Sequence, residues 1–364
     1  MIPHHGTPEW RRLPSVVTED LDRICERVGS AMDRIADKRV LITGAGGTIA
    51  SYLLHTLLHL QRRGRRAPEI VAVVRNPIAA RRRFLYTVTE RLDRKIHWVQ
   101  QDLRQSDTWE GSADYYVHAA SPASPRAFLA DPLGTAAVNT SATDRLLARA
   151  AARGVEAFLF FSSSEVYGDM GPGEIFVSED RTGVIDPLSP RSIYPESKRM
   201  GEAICAAWHR CNNLPTRIAR IFHTYGPGIH LQDERVFADF TARALRNEEI
   251  VLRSDGRGRR AFCYLADTVA GLLTILLRGA DGHAYNVGNR HGILSIRELA
   301  DLVAGLAPEP DVRVRLDPDP DRPESASAAV FPDTAKLEQL GWKAEVAPRD
   351  GFARTLESFR EMAE

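Results

Sequence analysis

Tyr194 and Lys198 stand four apart in "YPESK", so a helix there would place both on one face. A tyrosine with an ordinary pKa near ~10 is a poor base at neutral pH, and a neighbouring ammonium favours its phenolate. Such a pair can take a proton from a substrate hydroxyl. Upstream, "FFSSSEVYGD" (160 to 169) ends an apolar run in Ser162, Ser163 and Ser164, followed by Glu165. One of these serines is expected to hydrogen-bond the reacting hydroxyl. Tyr-x-x-x-Lys alone arises by chance on many surfaces, so its weight depends on the elements that position it.

Those elements begin at residue 39. "RVLITGAG" is an apolar run ending in glycines, followed by helical "TIASYLLHTLLHLQRR". "EIVAVV", "KIHWVQQDL", "ADYYVHAAS", "VEAFLFFSS" and "TRIARIF" read as further strands, separated by helical stretches such as 134 to 152 and 194 to 211. Continuous apolar strands alternating with helices predict an α/β fold, a doubly wound parallel sheet of Rossmann type. Its strands would deliver the serines and the Tyr–Lys helix to the carboxyl edge, where such sheets bind ligands. Beyond 222 the pattern loosens, and helices near 266 to 278, 295 to 306, 333 to 340 and 349 to 362 suggest a smaller C-terminal substrate-binding lobe. The expected division is 1–37, a tail and amphipathic helix; 38–222, the dinucleotide-binding domain; and 223–364, mainly the substrate lobe with parts returning to the first domain. In the N-terminal segment Leu21, Ile24, Val28, Met32 and Ile35 form a helical stripe. It either docks on the core or offers a partner surface, and docking is favoured.

"TGAGGTIA" (43 to 50) lies between the first strand and first helix, where Gly44 permits a tight turn and Gly47 a close approach to pyrophosphate. Ala50 takes the place of the third glycine in the usual spacing. Gly46, Thr48 and Ile49 complete the loop. This placement predicts a dinucleotide cofactor whose oxidised nicotinamide accepts hydride and adds positive charge beside Tyr194. The second strand ends in Arg75 and Asn76 rather than the carboxylate that holds the adenosine ribose of NAD. Arginine there either pairs a 2′-phosphate, favouring NADP, or is a surface residue; NAD and NADP stand even on this position. Asp102, with Leu103, follows the third strand as an adenine contact or a turn residue.

The glycine loop, "HAAS", "SSSEVYGD", "YPESK" and "RIFHTYGPG" together resemble the extended short-chain dehydrogenase/reductases that act on nucleotide sugars, the NAD-dependent epimerase/dehydratase family. The resemblance runs from 39 to about 345. Within that family, "ASPASP" (120 to 125), "SPRSIYPESKRMGE" and "RRAFCYLAD" are most similar to UDP-glucuronate decarboxylases (UDP-xylose synthases). The match implies catalytic roles for Ser163, Glu165, Tyr194 and Lys198, with Ser163 selected because the family's hydroxyl-binding residue lies four before the Tyr of "VYG". It also implies cofactor contacts at Ala119 and Ala120. On the substrate side it implies Ser121, Ala123, Ser124, His223, Arg235 and Arg260. The two arginines would hold the nucleotide or diphosphate, or form structural salt bridges.

The related 4,6-dehydratases carry Asp–Glu where this chain has Ser164–Glu165, because they must protonate a departing hydroxyl. Serine is a poor acid for that task. A 4-keto uronic acid, being a β-keto acid, loses carbon dioxide without such help. The expectation is therefore decarboxylation of UDP-glucuronate through a 4-keto intermediate. Its alternatives are a C4-epimerase, reductase or 4,6-dehydratase on a similar sugar, and, outside catalysis, a cofactor-binding sensor or scaffold. Three departures bear on nucleotide, sugar and cofactor: His223 where the family has asparagine, Arg75 in place of the ribose acid, and no basic run before "PD" in 322 to 342.

Composition narrows the partners. The 364 residues hold 48 basic and 48 acidic side chains, which argues against nucleic acid or an anionic membrane as partner. The local runs "QRRGRR" and "RRR" read as solvated surface. No stretch approaches 18 continuous apolar residues, so a soluble chain without a membrane span is expected. The four cysteines show no metal-binding or disulfide spacing, in keeping with reduced thiols, a cytoplasmic setting and no metal site. The resemblance implies a homodimer through helices at about 135 to 153 and 194 to 211, whose alanine-rich faces are equally explained by core burial.

Overall fold

The structure, a computed structural model, describes residues 13–84, 95–105, 111–309, 312–318 and 329–363. Most of the expected N-terminal tail, and the 322 to 328 portion of the C-terminal stretch, lie outside the described residues. In chain order the described strands are β1 Arg39–Thr43, β2 Glu69–Val74, β3 Ile96–Gln100, β4 Tyr115–His118, β5 Ala157–Ser163, β6 Glu174–Val177 and β7 Thr216–Ile221. They continue as β8 His223–Tyr225, β9 Ile250–Leu252, β10 Arg259–Tyr264, β11 His283–Val287, β12 Ile293–Ser295, β13 Val314–Leu316 and β14 Ala329–Pro332.

Seven strands form one parallel sheet in the order β11-β7-β5-β4-β1-β2-β3. The order reverses between β1 and β4, which opens the crevice where ligands bind in doubly wound folds. Alternate strand residues serve opposite faces. Val40, Ile42, Ile70, Ala72, Tyr115 and Leu159 pack on one side with the helices Thr48–His59 and Leu265–Arg278. Leu41, Val71, Tyr116, Phe158 and Phe160 pack on the other with Leu146, Leu147 and Cys205 of the helices Ser141–Arg153 and Ile193–Asn212. Burial on both faces is why the strands read as unbroken apolar runs.

The helix Ser15–Val28 docks. Its Val17, Leu21, Ile24 and Val28 are buried in the same core as the sheet and the later helices, leaving that stripe no free partner surface. Asp20, fully buried, accepts hydrogen bonds from Tyr52 (2.8 Å), Tyr264 (2.6 Å) and Arg354 (2.7 Å). Arg27 pairs with buried Asp267 at 2.5 Å. A buried charge must be compensated in this way or it strongly destabilises the fold.

Two features differ from the sequence expectation. The stretch 134 to 152 is two helices, Pro132–Asn139 and Ser141–Arg153, separated at Thr140, which ends the first and precedes the second. The edge strand β11, whose "HAYNV" is interrupted by polar His283 and Asn286, pairs β7 to complete the sheet. The remaining strands make small local sheets: β8, β10 and β12 together, β9 with β13, and β6 with β14. None of the described helices is long and apolar enough to cross a membrane.

Candidate active site

Gly44 follows β1 with φ +63°, and a Cβ there would lie 2.7 Å from the Ala120 Cα. No other residue fits that turn. The loop after β4 is held close because the Thr43 hydroxyl hydrogen-bonds His118 (2.7 Å) and accepts from the Ala120 N–H (3.1 Å). A Cβ on Gly46 would meet Ala80 at 3.1 Å, and one on Gly47 the Gly44 carbonyl at 3.2 Å. Gly47 caps the helix Thr48–His59 without any side chain, so the first-turn N–H groups remain available to an anion.

Two cavities meet at this loop, sharing Gly44, Gly47, Ala119 and Ser121. The larger, about 650 Å³, runs over Gly46, Arg75, Asn76, Asp102, Leu103 and Ala120. The smaller, about 240 Å³, is walled by Thr48, Ile49, Ala123, Ser163, Ser164, Glu165, Tyr194, Lys198, His223 and Arg235. An elongated dinucleotide fits this pair, with its pyrophosphate at the uncapped helix end, adenosine in the larger cavity and nicotinamide beside Tyr194. Every predicted cofactor residue lines one cavity or both.

Tyr194 and Lys198 project from the helix Ile193–Asn212 and are 6 % and 2 % exposed. Phe128 stacks on the Tyr194 ring at 5.0 Å, fixing its plane. Ser163, the last residue of β5, lines the same cavity as Tyr194 and accepts the Glu165 N–H at 3.2 Å. Burial, with Glu165 adding, pushes Tyr194 up to about 12, while Ser163 and Arg235 act the other way. Lys198 donates to the Phe161 carbonyl at 2.6 Å and sits over the Phe160 ring. Burial brings its amine down to about 7, opposed by Glu202. The expected lowering of the phenol by the lysine is not present in this state, because an amine brought down to about 7 is already uncharged where the phenol loses its proton.

Ser162, by contrast, serves the scaffold. It donates to Glu202 (2.5 Å), which also pairs with Arg220 at 2.7 Å. Ser164 opens the single turn Ser164–Tyr167 and faces the smaller cavity. Burial raises the Glu165 carboxyl, with Arg191 (3.9 Å away) and Arg260 lowering it.

Of the predicted substrate contacts, Ser121, Ala123, His223 and Arg235 line a cavity. His223 is held neutral, its pKa brought to about 3 by burial and by Arg260 and Arg235, and its buried Nδ1 has no partner among the described residues. Arg235 is paired with Asp233 at 2.6 Å and lies over Phe237. Ser124 and Arg260 line neither cavity: the Ser124 hydroxyl caps the helix Pro125–Ala130, and Arg260 donates to the Arg259 carbonyl (2.8 Å). Sequence reasoning missed Arg104, which grips Asp102 (2.9 and 3.0 Å) and Asp131 (2.7 Å) on the larger cavity wall. It also missed Phe128, Arg191 and Glu202. Only Glu202 left a signal, one helical turn after Lys198. No cluster able to hold a metal occurs among the described residues.

Comparison with known proteins gives the same picture. Residues 40–288 match the family model "NAD dependent epimerase/dehydratase family". UDP-glucuronic acid decarboxylase 6 of Arabidopsis thaliana is 32% identical over 330 residues, covering 89% of this chain and 90% of that protein. UDP-glucuronic acid decarboxylase 1 of Xenopus tropicalis is 32% identical, with 90% of this chain and 73% of that protein covered. Among solved structures, an epimerase of Methanothermobacter thermautotrophicus superimposes with a TM-score of 0.78 at 23% identity, covering 93% of this chain and 96% of that one. The UDP-glucuronic acid 4-epimerase of Bacillus cereus, solved with UDP-glucuronic acid and NAD, gives 0.73 at 21%, covering 89% and 99%. Glycine loop, serine-tipped strand, Tyr–Lys helix and sheet order thus occur in one chain with these likenesses, and the chain belongs to the NAD-dependent epimerase/dehydratase family.

Proposed function

We propose that the protein decarboxylates a UDP-linked uronic acid, UDP-glucuronate in the first instance, through a 4-keto intermediate. The observation that carries this reading is Ser164–Glu165 on the wall that holds Ser163, Tyr194 and Lys198, in a chain whose 32% identical relatives are named UDP-glucuronic acid decarboxylases.

Tyr194 takes the proton of the sugar 4-hydroxyl, which Ser163 orients by hydrogen bonding. A nicotinamide held by the glycine loop beside Tyr194 would supply the reversible hydride chemistry at C4. With C4 a ketone, the C5–C6 bond breaks, its electrons enter the C4 carbonyl as an enolate, and carbon dioxide leaves. C5 of the enolate then takes a new proton, drawn ultimately from solvent, in place of the lost carboxylate. Glu165, raised by burial, is the group able to hold a proton on that side, while Ser164 supplies no acid for expelling a hydroxide. Tyr194 finally gives its proton back to the C4 oxygen. Ser163, Tyr194 and Lys198 are buried, which limits water at the hydroxyl transfer.

A second reading, C4 epimerisation, shares every step but carbon loss, and the solved neighbours with the same fold include UDP-sugar 4-epimerases. Mass analysis of the product from UDP-glucuronate separates the two. Loss of one carbon dioxide supports decarboxylation, an unchanged mass with inverted C4 supports epimerisation, and no turnover points to another sugar.

A homodimer through the helices Pro132–Asn139, Ser141–Arg153 and Ile193–Asn212 belongs to the same proposal. Leu133 and Met200, exposed by 80 % and 54 %, lie on these helices. Light scattering on Met200→Glu tests it: a mass shift from dimer to monomer is expected, and an unchanged dimer contradicts this interface. The thiols of Cys25, Cys205, Cys211 and Cys263 are free, which suits a reducing, cytoplasmic setting.

A further inference from the structure

We propose that the adenosine end of the cofactor site accepts a 2′-phosphate, held by Arg75, so that this chain takes NADP as well as NAD. The inference rests on the dinucleotide reading of the glycine loop and is independent of which sugar is turned over.

Three observations carry it. The first is position. β2 ends at Val74, and Arg75 follows with an exposed side chain on the wall of the 650 Å³ cavity, at the point where the adenosine ribose is held in this fold. The second is the absence of a free ribose acid there. Asn76, the next residue, already uses its side-chain oxygen to accept the Ala79 N–H at 3.0 Å. The third is electrostatic. The carboxylates lining this cavity are Asp102 and Asp131, and both pair with Arg104, at 2.9 and 2.7 Å, so that with Arg75 two carboxylates face two guanidinium groups. Arg104 holds both below the ordinary carboxylate range, and Arg75 contributes to the same field.

Arg75 makes no ion pair with another described residue. Its guanidinium therefore has donors to give a phosphate, and phosphate is the anion that a planar fork of N–H donors suits best. A free carboxylate at this position would repel the 2′-phosphate while binding a ribose diol. The two carboxylates on the neighbouring loops are held in ion pairs by Arg104, which weakens their repulsion of a phosphate. The site is then permissive toward a dianion while keeping the shared dinucleotide contacts of the glycine loop.

The test measures binding of NAD and NADP separately by isothermal titration calorimetry, on wild-type protein freed of bound nucleotide and on Arg75→Asp. Because Arg75 is exposed, the variant's circular dichroism should match wild type. The expected result has NADP binding wild type within about tenfold of NAD, and Arg75→Asp worsening the NADP-to-NAD ratio by about tenfold or more, the size of one lost charge-assisted contact. Wild type that binds NADP more than about tenfold weaker than NAD overturns the proposal. A variant whose ratio moves by less than that overturns it too. Arg75→Lys, which keeps the charge but loses the fork, should fall between the two. Failure here leaves the product-mass experiment untouched, and failure of that experiment leaves these binding constants untouched.

Discussion

The two ends of the cofactor crevice are built on different physical terms. Around Tyr194 the groups are buried, and desolvation dominates: the phenol is pushed up to about 12 and the Lys198 amine down to about 7. Around Arg75 the groups are partly exposed, with the Arg104 and Asp131 side chains 38 % and 45 % accessible. There the ion pairs are water-screened and individually worth little. The contrast teaches where change is tolerated. At the buried end one atom sets a pKa or leaves a polar group unpaired, whereas at the exposed end a substitution alters which anion is welcome without disturbing the fold.

Substitutions at the two ends should therefore differ in kind. The largest effect belongs to Tyr194→Phe, which removes the base and keeps the ring stacked on Phe128. Turnover should fall by about a thousandfold or more, with cofactor affinity changed by less than about threefold. A variant retaining a tenth of wild-type activity would remove Tyr194 from its role. Ser163→Ala should cost about ten- to a hundredfold in kcat with little change in KM, since its hydroxyl is asked to act mainly on the reacting oxygen. Equal losses from Ser162→Ala would instead show that the strand end, not the Ser163 contact, matters.

A smaller effect isolates the buried charge. Lys198 titrates near 7 in the folded protein, against 10.5 for an ordinary lysine. As pH falls from about 10 toward 7, the unfolded chain takes up this proton first, so wild-type stability declines through that window and the decline stops below it. Lys198→Met should flatten the decline, gaining about 1–3 kcal/mol relative to wild type between pH 10 and 7. Parallel stability curves for the two proteins would contradict the assigned burial. Smallest of all, His223→Asn should leave no missing titration between pH 5 and 8 in the ligand-free protein, because His223 is already neutral there. Loss of an imidazole signal titrating near 6.5 by NMR would show otherwise.

How far the sequence disclosed this molecule follows from the same contrast. Strands buried on both faces write themselves as apolar runs, so β1, β2, β5 and β7 were legible, as were the glycine loop and the Tyr–Lys helix, whose chemistry depends on local spacing. β11 was not, because polar His283 and Asn286 interrupt "HAYNV" and leave no apolar run. The pairings of Arg104 with Asp131 and Arg191 with Glu165 join residues 27 and 26 apart in sequence, and nothing in the chain marks such partners. Ser124 and Arg260 stand on the right motifs, yet neither lines a cavity: the Ser124 hydroxyl accepts the Ala127 N–H, and Arg260 donates to the Arg259 carbonyl. Lys198 was placed on the right helix face, but only the three-dimensional arrangement reveals that the Phe161 carbonyl claims its ammonium.

The most direct test of decarboxylation at a Ser163–Tyr194 site is to incubate the purified protein with UDP-glucuronate and weigh the nucleotide-sugar product. The account predicts a UDP-linked pentose or 4-keto pentose lighter by one carbon dioxide, formed by wild type and not by Tyr194→Phe. A product of unchanged mass with inverted C4, or carbon dioxide release undiminished in Tyr194→Phe, would contradict it.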